Sequence, residues 1–308
     1  MPTPAPTPSP TPSPTGEPIP YSGDSGDNYE LIFRDEFIGG HLDASKWNTK
    51  PLGLQEPPVV NYSVNAQGEL HIWPHPVNNS WYNRILDTEG KFYMQYGFLE
   101  FQAALPQGKG LIPQVYLFNK DTLDGRPLIT AMISYCGANR EGWSDFLYRP
   151  VAFSTDVWIS VAKQVSGGSN TVNTGRLLTS FNVYGIKWEP GRVITYFNGN
   201  VVSTLNVNIP DRMFISLGLT FGYATQVGGA PDASTPVGNG NSLRFNYVRA
   251  WKFINLPVIT THTMKADAKA RSGDQIIMIG YARDISMGTI TPQLLKFWTI
   301  HVIYVSGG

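Results

Sequence analysis

Residues Val193–Val202, VITYFNGNVV, decide the class of fold. Asn198-Gly199 stands between two β-rich runs, and a two-residue hairpin of type I′ asks for positive φ at both central residues, which Asn and Gly supply at least cost. An antiparallel hairpin is therefore expected here. Working outward, Ile186-Lys187-Trp188, Gly97–Ala103, Leu31-Ile32-Phe33 and Leu243–Val248 are further short runs rich in β-branched and aromatic residues. Turn residues separate them, and helical periodicity is almost absent. Many short antiparallel strands across residues 29–253 predict an all-β sandwich or jelly roll rather than an α/β fold.

Composition bounds the partners. The chain has 308 residues, 42% hydrophobic and 12% aromatic, enough for one large core with a small appendage. Only 15% of residues are charged, with 23 Lys+Arg against 23 Asp+Glu. No basic field is present to hold nucleic acid. No apolar run is long enough to span a bilayer as a helix, so no membrane partner is expected. Cys136 is the lone cysteine, which excludes an internal disulfide and a thiolate metal cluster, and it reads as a small core residue.

Three zones follow from the change of pattern. Residues 1–28 open with PTPAPTPSPTPSPT, where proline at every second position forbids helix and interior strand and leaves an extended arm. Residues 29–253 carry the sandwich. Residues 254–308 hold two more apolar runs, Gln275–Tyr281 and Phe297–Val305. Exposed, such runs would be liable to aggregate, so they are expected to be covered by the sandwich or by another subunit. The start Met1-Pro2-Thr3 has neither a basic nor an apolar region of a secretory signal.

Several stretches resemble the family 16 glycoside hydrolases, the laminarinase, lichenase, agarase and carrageenase group. Leu31–Phe37 with Leu42–Trp47 is similar to that family's first strand, and Gly90-Lys91-Phe92, Tyr96–Phe101 and Leu105–Gly110 to its central ones. Tyr184–Pro190, Asn198-Gly199 and Phe245–Trp251 resemble the closing strands, in family order. The resemblance implies a concanavalin-like jelly roll whose concave sheet forms a glycan cleft. It also implies that Pro127–Ile133, PLITAMI, stands where the family carries a Pro-Glu-Ile-Asp-Ile-Met-Glu strand. Leu128 then falls at the nucleophile, Thr130 at the supporting aspartate and Ile133 at the acid/base glutamate.

Retaining hydrolysis needs two carboxyl groups, one to attack the anomeric carbon and one to protonate the leaving oxygen. Leu128 and Ile133 offer neither lone pair nor proton. On this reading the protein is not an enzyme by the family mechanism. Asp121, Asp124, Glu141 and Asp145 flank the strand in loop sequence and read as solvated turn residues. Glu100 lies on a strand that could face the cleft, although the corresponding family position is usually just part of the sheet. His71 and His75 sit four apart on a run broken by Pro74 and Pro76, a poor frame for a metal. No cofactor is called for.

An aromatic ring can still hold a sugar through its apolar face. The candidate glycan-binding residues are Trp143, Tyr116, Tyr135 and Trp158, with Arg84 and Asn61 as polar partners. Three functions remain open. A non-catalytic structural or decoration protein of a virion, with residual glycan binding and assembled as a homo-oligomer or larger particle through residues 1–28 and 254–308, is the leading expectation. It would place the protein in a virion or extracellular particle, otherwise in the cytoplasm. A free lectin-like protein is the first alternative, and a divergent glycan hydrolase the second.

Overall fold

The computed structural model describes residues 18–21, 29–49, 57–119, 127–137, 143–160, 163–164, 170–222, 229–254, 277–278 and 300–301. The strands in chain order are β1 Tyr29–Asp35, β2 Tyr62–Val64, β3 Leu70–Ile72, β4 Arg84–Asp87, β5 Gly97–Ala104, β6 Leu111–Phe118, β7 Leu128–Ile133, β8 Ala152–Ser160 and β9 Lys163–Gln164. They continue with β10 Asn170–Asn173, β11 Asn182–Glu189, β12 Arg192–Phe197, β13 Asn200–Asn206, β14 Phe214–Phe221, β15 Leu243–Phe253, β16 Ile277–Met278 and β17 Ile300–His301. All pairings between them are antiparallel.

The first sheet runs β13-β12-β11-β5-β15-β3-β2 with β1 on β15, and the second runs β10-β8-β7-β6-β14-β4 with β9 on β8. Strands far apart in sequence lie side by side, as the jelly roll requires. Alternate residues of both sheets meet in one core: Leu99, Phe101 and Ala103 of β5, Tyr184, Ile186 and Trp188 of β11, Val115 and Leu117 of β6, and Ile215, Leu217 and Leu219 of β14. Within it Phe101 stacks on Tyr184 at 5.2 Å and 6°, and Phe153 meets Tyr184 edge-on at 5.2 Å. Cys136 is buried, as its sequence context predicts, and burial pushes its thiol pKa far up.

The hairpin that fixes the fold class forms as expected. Asn198 at φ 47° and Gly199 at φ 82° join β12 to β13. The first-strand motif is likewise explained by contacts. Asp35, 5% exposed, accepts the Trp47 indole N–H at 2.7 Å and the Phe37 amide at 2.9 Å, while Glu36 pairs with Arg249 through two bonds of 2.8 and 2.9 Å. Gly97, at φ 117°, starts β5 against β15, and a Cβ there would lie 2.0 Å from the Trp251 carbonyl oxygen.

The chain divides into two compact units, 1–253 and 254–308. In the second, β16 pairs with β17 through Ile277↔His301 and Met278↔Ile300. The two C-terminal apolar runs thus meet each other, while most of that zone lies outside the described residues.

Candidate functional site

The second sheet turns one face to the core and the other away from it, and β7 shows how its residues divide. Simple alternation would put Met132 on the same side as Leu128 and Thr130. Instead the register slips between Thr130 and Ile133, so that Ala131 and Met132 both enter the core. Leu128, Thr130 and Ile133 consequently share the outer face. A bulge of this kind re-aims the side chains that follow it.

Cross-strand register arranges the outer face in three rows. Phe214, Phe118, Leu128 and Trp158 form the first; Ser216, Tyr116, Thr130 and Asp156 the second; Gly218, Gln114, Ile133 and Ser154 the third. The first row is apolar, with Phe118 on Phe214 at 5.6 Å. The other two are mostly polar. Thr130 Oγ1 donates to Asp156 Oδ1, and the Tyr116 hydroxyl donates to Gln114 Oε1 at 3.2 Å. Asp156 is half-buried and carries the one carboxylate within these three rows.

Tyr135 continues the outer side beyond Ile133, since the intervening Ser134 and the following Cys136 are fully buried. Its ring meets Trp143 edge-on at 5.0 Å and 89°. Trp143 is placed by its carbonyl, which accepts the Val151 amide at 3.0 Å just before β8. Beside it Asp145 accepts the amides of Leu147 and Arg149 at 2.9 Å each and the Arg149 guanidinium at 2.6 Å. Partial burial alone would raise the Asp145 pKa, but these donors outweigh it and hold the carboxyl below the usual aspartate range. Asp145 is therefore a turn-closing residue. Phe146, 86% exposed, lies at the tip of the same loop and was not singled out from sequence.

Tyr116, Tyr135, Trp143 and Trp158 thus lie along this face and its extension. Arg84 and Asn61 do not. Both are 1% exposed, Arg84 Nε donates to Asn61 Oδ1 at 2.7 Å, and its two terminal nitrogens donate to the carbonyls of Thr49 and Val59 at 2.9 and 2.8 Å. Arg84 shares the side of β4 on which Leu86 joins the core, so this pair clamps a loop. Glu100 lies elsewhere: it belongs to the first sheet and accepts from the Tyr247 hydroxyl at 3.0 Å and the Tyr21 amide at 2.8 Å. His71 bonds to Asn239 at 2.7 Å and Glu69 at 3.0 Å. Among the described residues no cluster of His, Cys, Asp or Glu could hold a metal. Asp121, Asp124 and Glu141 lie outside the described residues.

Among the described residues, the two carboxylates along the Asp156 row, Asp156 and Asp87, stand far apart. Asp87 faces Ser216 at the far end of the Asp156 row, four strand steps away, which at about 4.8 Å per step is roughly 19 Å. Retaining chemistry needs about 5 to 5.5 Å and inverting chemistry about 6.5 to 9.5 Å.

No protein-family model matches the chain. In sequence it is 24% identical over 263 residues to glucan endo-1,3-beta-glucosidase A1 of Niallia circulans, covering 72% of this chain and 38% of that protein. The chain therefore spans well under half the length of this relative. In structure it is similar to an endo-beta-1,3-glucanase from Pyrococcus furiosus, with TM-score 0.60, 21% identity and coverage of 77% of this chain and 100% of that one. Porphyranase B from Zobellia galactanivorans gives TM-score 0.58, 18% identity and coverage of 79% and 98%. SCLam, a non-specific endo-beta-1,3(4)-glucanase from family 16, gives 0.58, 18%, and 77% and 94%.

The chain resembles the family 16 glycoside hydrolases, and its sandwich is theirs in fold. These comparisons overturn the leading expectation of a non-catalytic virion decoration protein. That expectation rested on the chain ends and one strand, whereas a likeness spanning about three-quarters of the chain leads to polysaccharide-cleaving enzymes.

Proposed function

We propose that this protein works on a polysaccharide, as a divergent relative of the glycan hydrolases, holding a β-glucan or galactan chain along the outer face of the second sheet. The observation that supports this most is the line of Trp158, Tyr116, Tyr135 and Trp143 on and beside that face. It occurs in a sandwich similar to enzymes whose names specify 1,3-glucans and porphyran. Aromatic faces cover the C–H face of a pyranose while Gln114, Ser154 and Asp156 are available for hydroxyls.

The chemistry proposed for the face follows from its inventory. With Leu128 and Ile133 at the positions read as nucleophile and acid/base, double displacement has no group to form the glycosyl bond and none to protonate the leaving oxygen. Asp156 is the carboxylate of the three rows among the described residues, so this reading assigns cleavage by the face to Asp156 and not to the pair. Affinity electrophoresis in laminarin, lichenan, agarose and carrageenan gels, run beside a reducing-end assay, tests the proposal. Retardation in at least one gel, relieved by Trp158→Ala, is expected. No retardation and no reducing ends with any of the four would overturn it. Reducing-end release abolished by Asp156→Asn would identify a one-carboxylate hydrolase, whereas release that survives that change would refute the role given to Asp156.

A further inference from the structure

The outer face of the first sheet carries a second, smaller apolar cluster: Phe98 of β5, Ile194 and Tyr196 of β12, and Trp251 of β15, with Tyr29 and Leu31 against it. Phe98 meets Tyr196 at 5.5 Å and Trp251 edge-on at 6.3 Å. In the middle of the same face stands Glu100, with no exposed surface, next to the Tyr247 hydroxyl. A buried carboxylate is costly unless donors reach it.

One of those donors comes from a segment that belongs to neither sheet. Residues Pro18-Ile19-Pro20-Tyr21 lie over this face and are anchored at both ends through their backbone. The Trp251 indole N–H donates to the Pro18 carbonyl at 2.7 Å, and the Tyr21 amide donates to Glu100 Oε2 at 2.8 Å. Between the anchors Pro20 is buried while Ile19 is 77% exposed. The seat therefore reads an extended Pro-x-Pro-x backbone: an indole N–H for the first carbonyl, and a carboxylate for the N–H that follows the second proline. The side chain at the second position points to solvent and is not selected.

The sequence before it repeats that pattern. Pro2-Thr3-Pro4-Ala5, Pro6-Thr7-Pro8-Ser9 and Pro10-Thr11-Pro12-Ser13 each offer a first-position carbonyl, a second proline and a following N–H, in the same spacing as Pro18–Tyr21. We propose that the Trp251–Glu100 groove is a docking site for Pro-x-Pro-x segments, filled in cis by Pro18–Tyr21, and that the Pro-Thr-Pro-Ala/Ser units of a second copy of this chain are its ligands in trans. A proline-rich segment has few conformers to lose on binding, which favours such docking. The tethered cis segment competes at an effective concentration on the order of millimolar, so exchange between copies depends on weakening it.

The test uses the full chain and a fluorescein-labelled peptide of residues 2–15, followed by anisotropy. Two variants weaken the cis segment by different means: Pro20→Gly removes the buried ring, and Tyr21→Pro removes the N–H that Glu100 accepts. Both are expected to bind the peptide at least ten-fold more tightly than the unaltered chain. Adding Trp251→Phe, which keeps an aromatic though smaller ring and deletes the indole donor, is expected to reverse the gain. Equal affinity in all chains, or no saturable binding to either variant while both melt cooperatively, would overturn the proposal. So would binding of a peptide of residues 17–22 alone, since the groove would then accept its own segment and not the repeats.

Discussion

Residue by residue, the outer face of the second sheet combines one apolar row with one acidic group, and each has its own expected behaviour. Trp158 is half-buried beside Leu128, so Trp158→Ala removes a stacking surface without opening the core. A loss of roughly 1 kcal/mol in glycan affinity, about five-fold in Kd, is expected by titration calorimetry. Placing carboxyl groups at the three positions that the resemblance aligns with the family motif, by Leu128→Glu, Thr130→Asp and Ile133→Glu, is not expected to create an efficient enzyme. The aspartate introduced at position 130 would face Asp156 across the strand pair, where Thr130 now donates a hydrogen bond, and like charges in a half-buried row oppose each other. The triple variant should lose about 2 to 4 kcal/mol of stability in urea unfolding. Turnover at a rate typical of enzymes in that variant would show that the face tolerates three more carboxyl groups.

Among the strands and turns, the hairpin and the bulge show what sequence can and cannot specify. The β12–β13 turn was legible because Asn198-Gly199 satisfies a local requirement for positive φ, and Gly199→Ala is expected to cost about 1 kcal/mol in thermal unfolding. The face of β7 was harder, because its outer set of Leu128, Thr130 and Ile133 breaks period two. The likeness to a motif aligned these three with the family's catalytic positions, and the register slip is the physical cause of their sharing a face. Asp156 was missed although Ser154, Asp156 and Trp158 alternate plainly, since its importance depends on Thr130 arriving from another strand. Arg84 and Asn61 were the weaker candidates for a related reason: polar residues next to a supposed cleft look like ligands until backbone partners such as those of Arg84 at Thr49 and Val59 are known. The Trp143 loop adds a pH prediction. The folded pKa of Asp145 is lowered, so its stabilising contribution is complete above the unfolded value of about 3.9 and is lost as pH falls through the folded one. Emission from the Trp143 environment, isolated by a Trp143→Phe difference, should be flat from about pH 7 to 5 and change only in stronger acid.

At the scale of the molecule, the core among the described residues is drawn from one stretch of sequence. The buried residues of the main cluster run from Phe33 to Ala250, and the strand that closes the first sheet, β15, ends at Phe253, where the first compact unit also ends. The composition break after Phe253 and the repeat before Pro18 were both visible in sequence because proline periodicity and strand spacing are local properties; what the C-terminal runs pair with was not, because strand partners are chosen over long range. Among the described residues the main buried cluster takes none from beyond Phe253, so a chain ending there keeps every residue of that cluster. Removing a β-strand from the core would delete several buried side chains, each worth about 2 to 5 kcal/mol, and would abolish cooperative melting. Removal of residues 254–308 should instead leave the sandwich transition in place, with Tm shifted by less than about 3 °C, the response of a domain this size to roughly 1 kcal/mol. Differential scanning calorimetry of the two chains decides the matter. A drop of about ten degrees or loss of the cooperative peak would mean that the C-terminal unit completes the fold, and glycan retention by the shortened chain should match that of the full one because every residue proposed to line the face lies before Phe221.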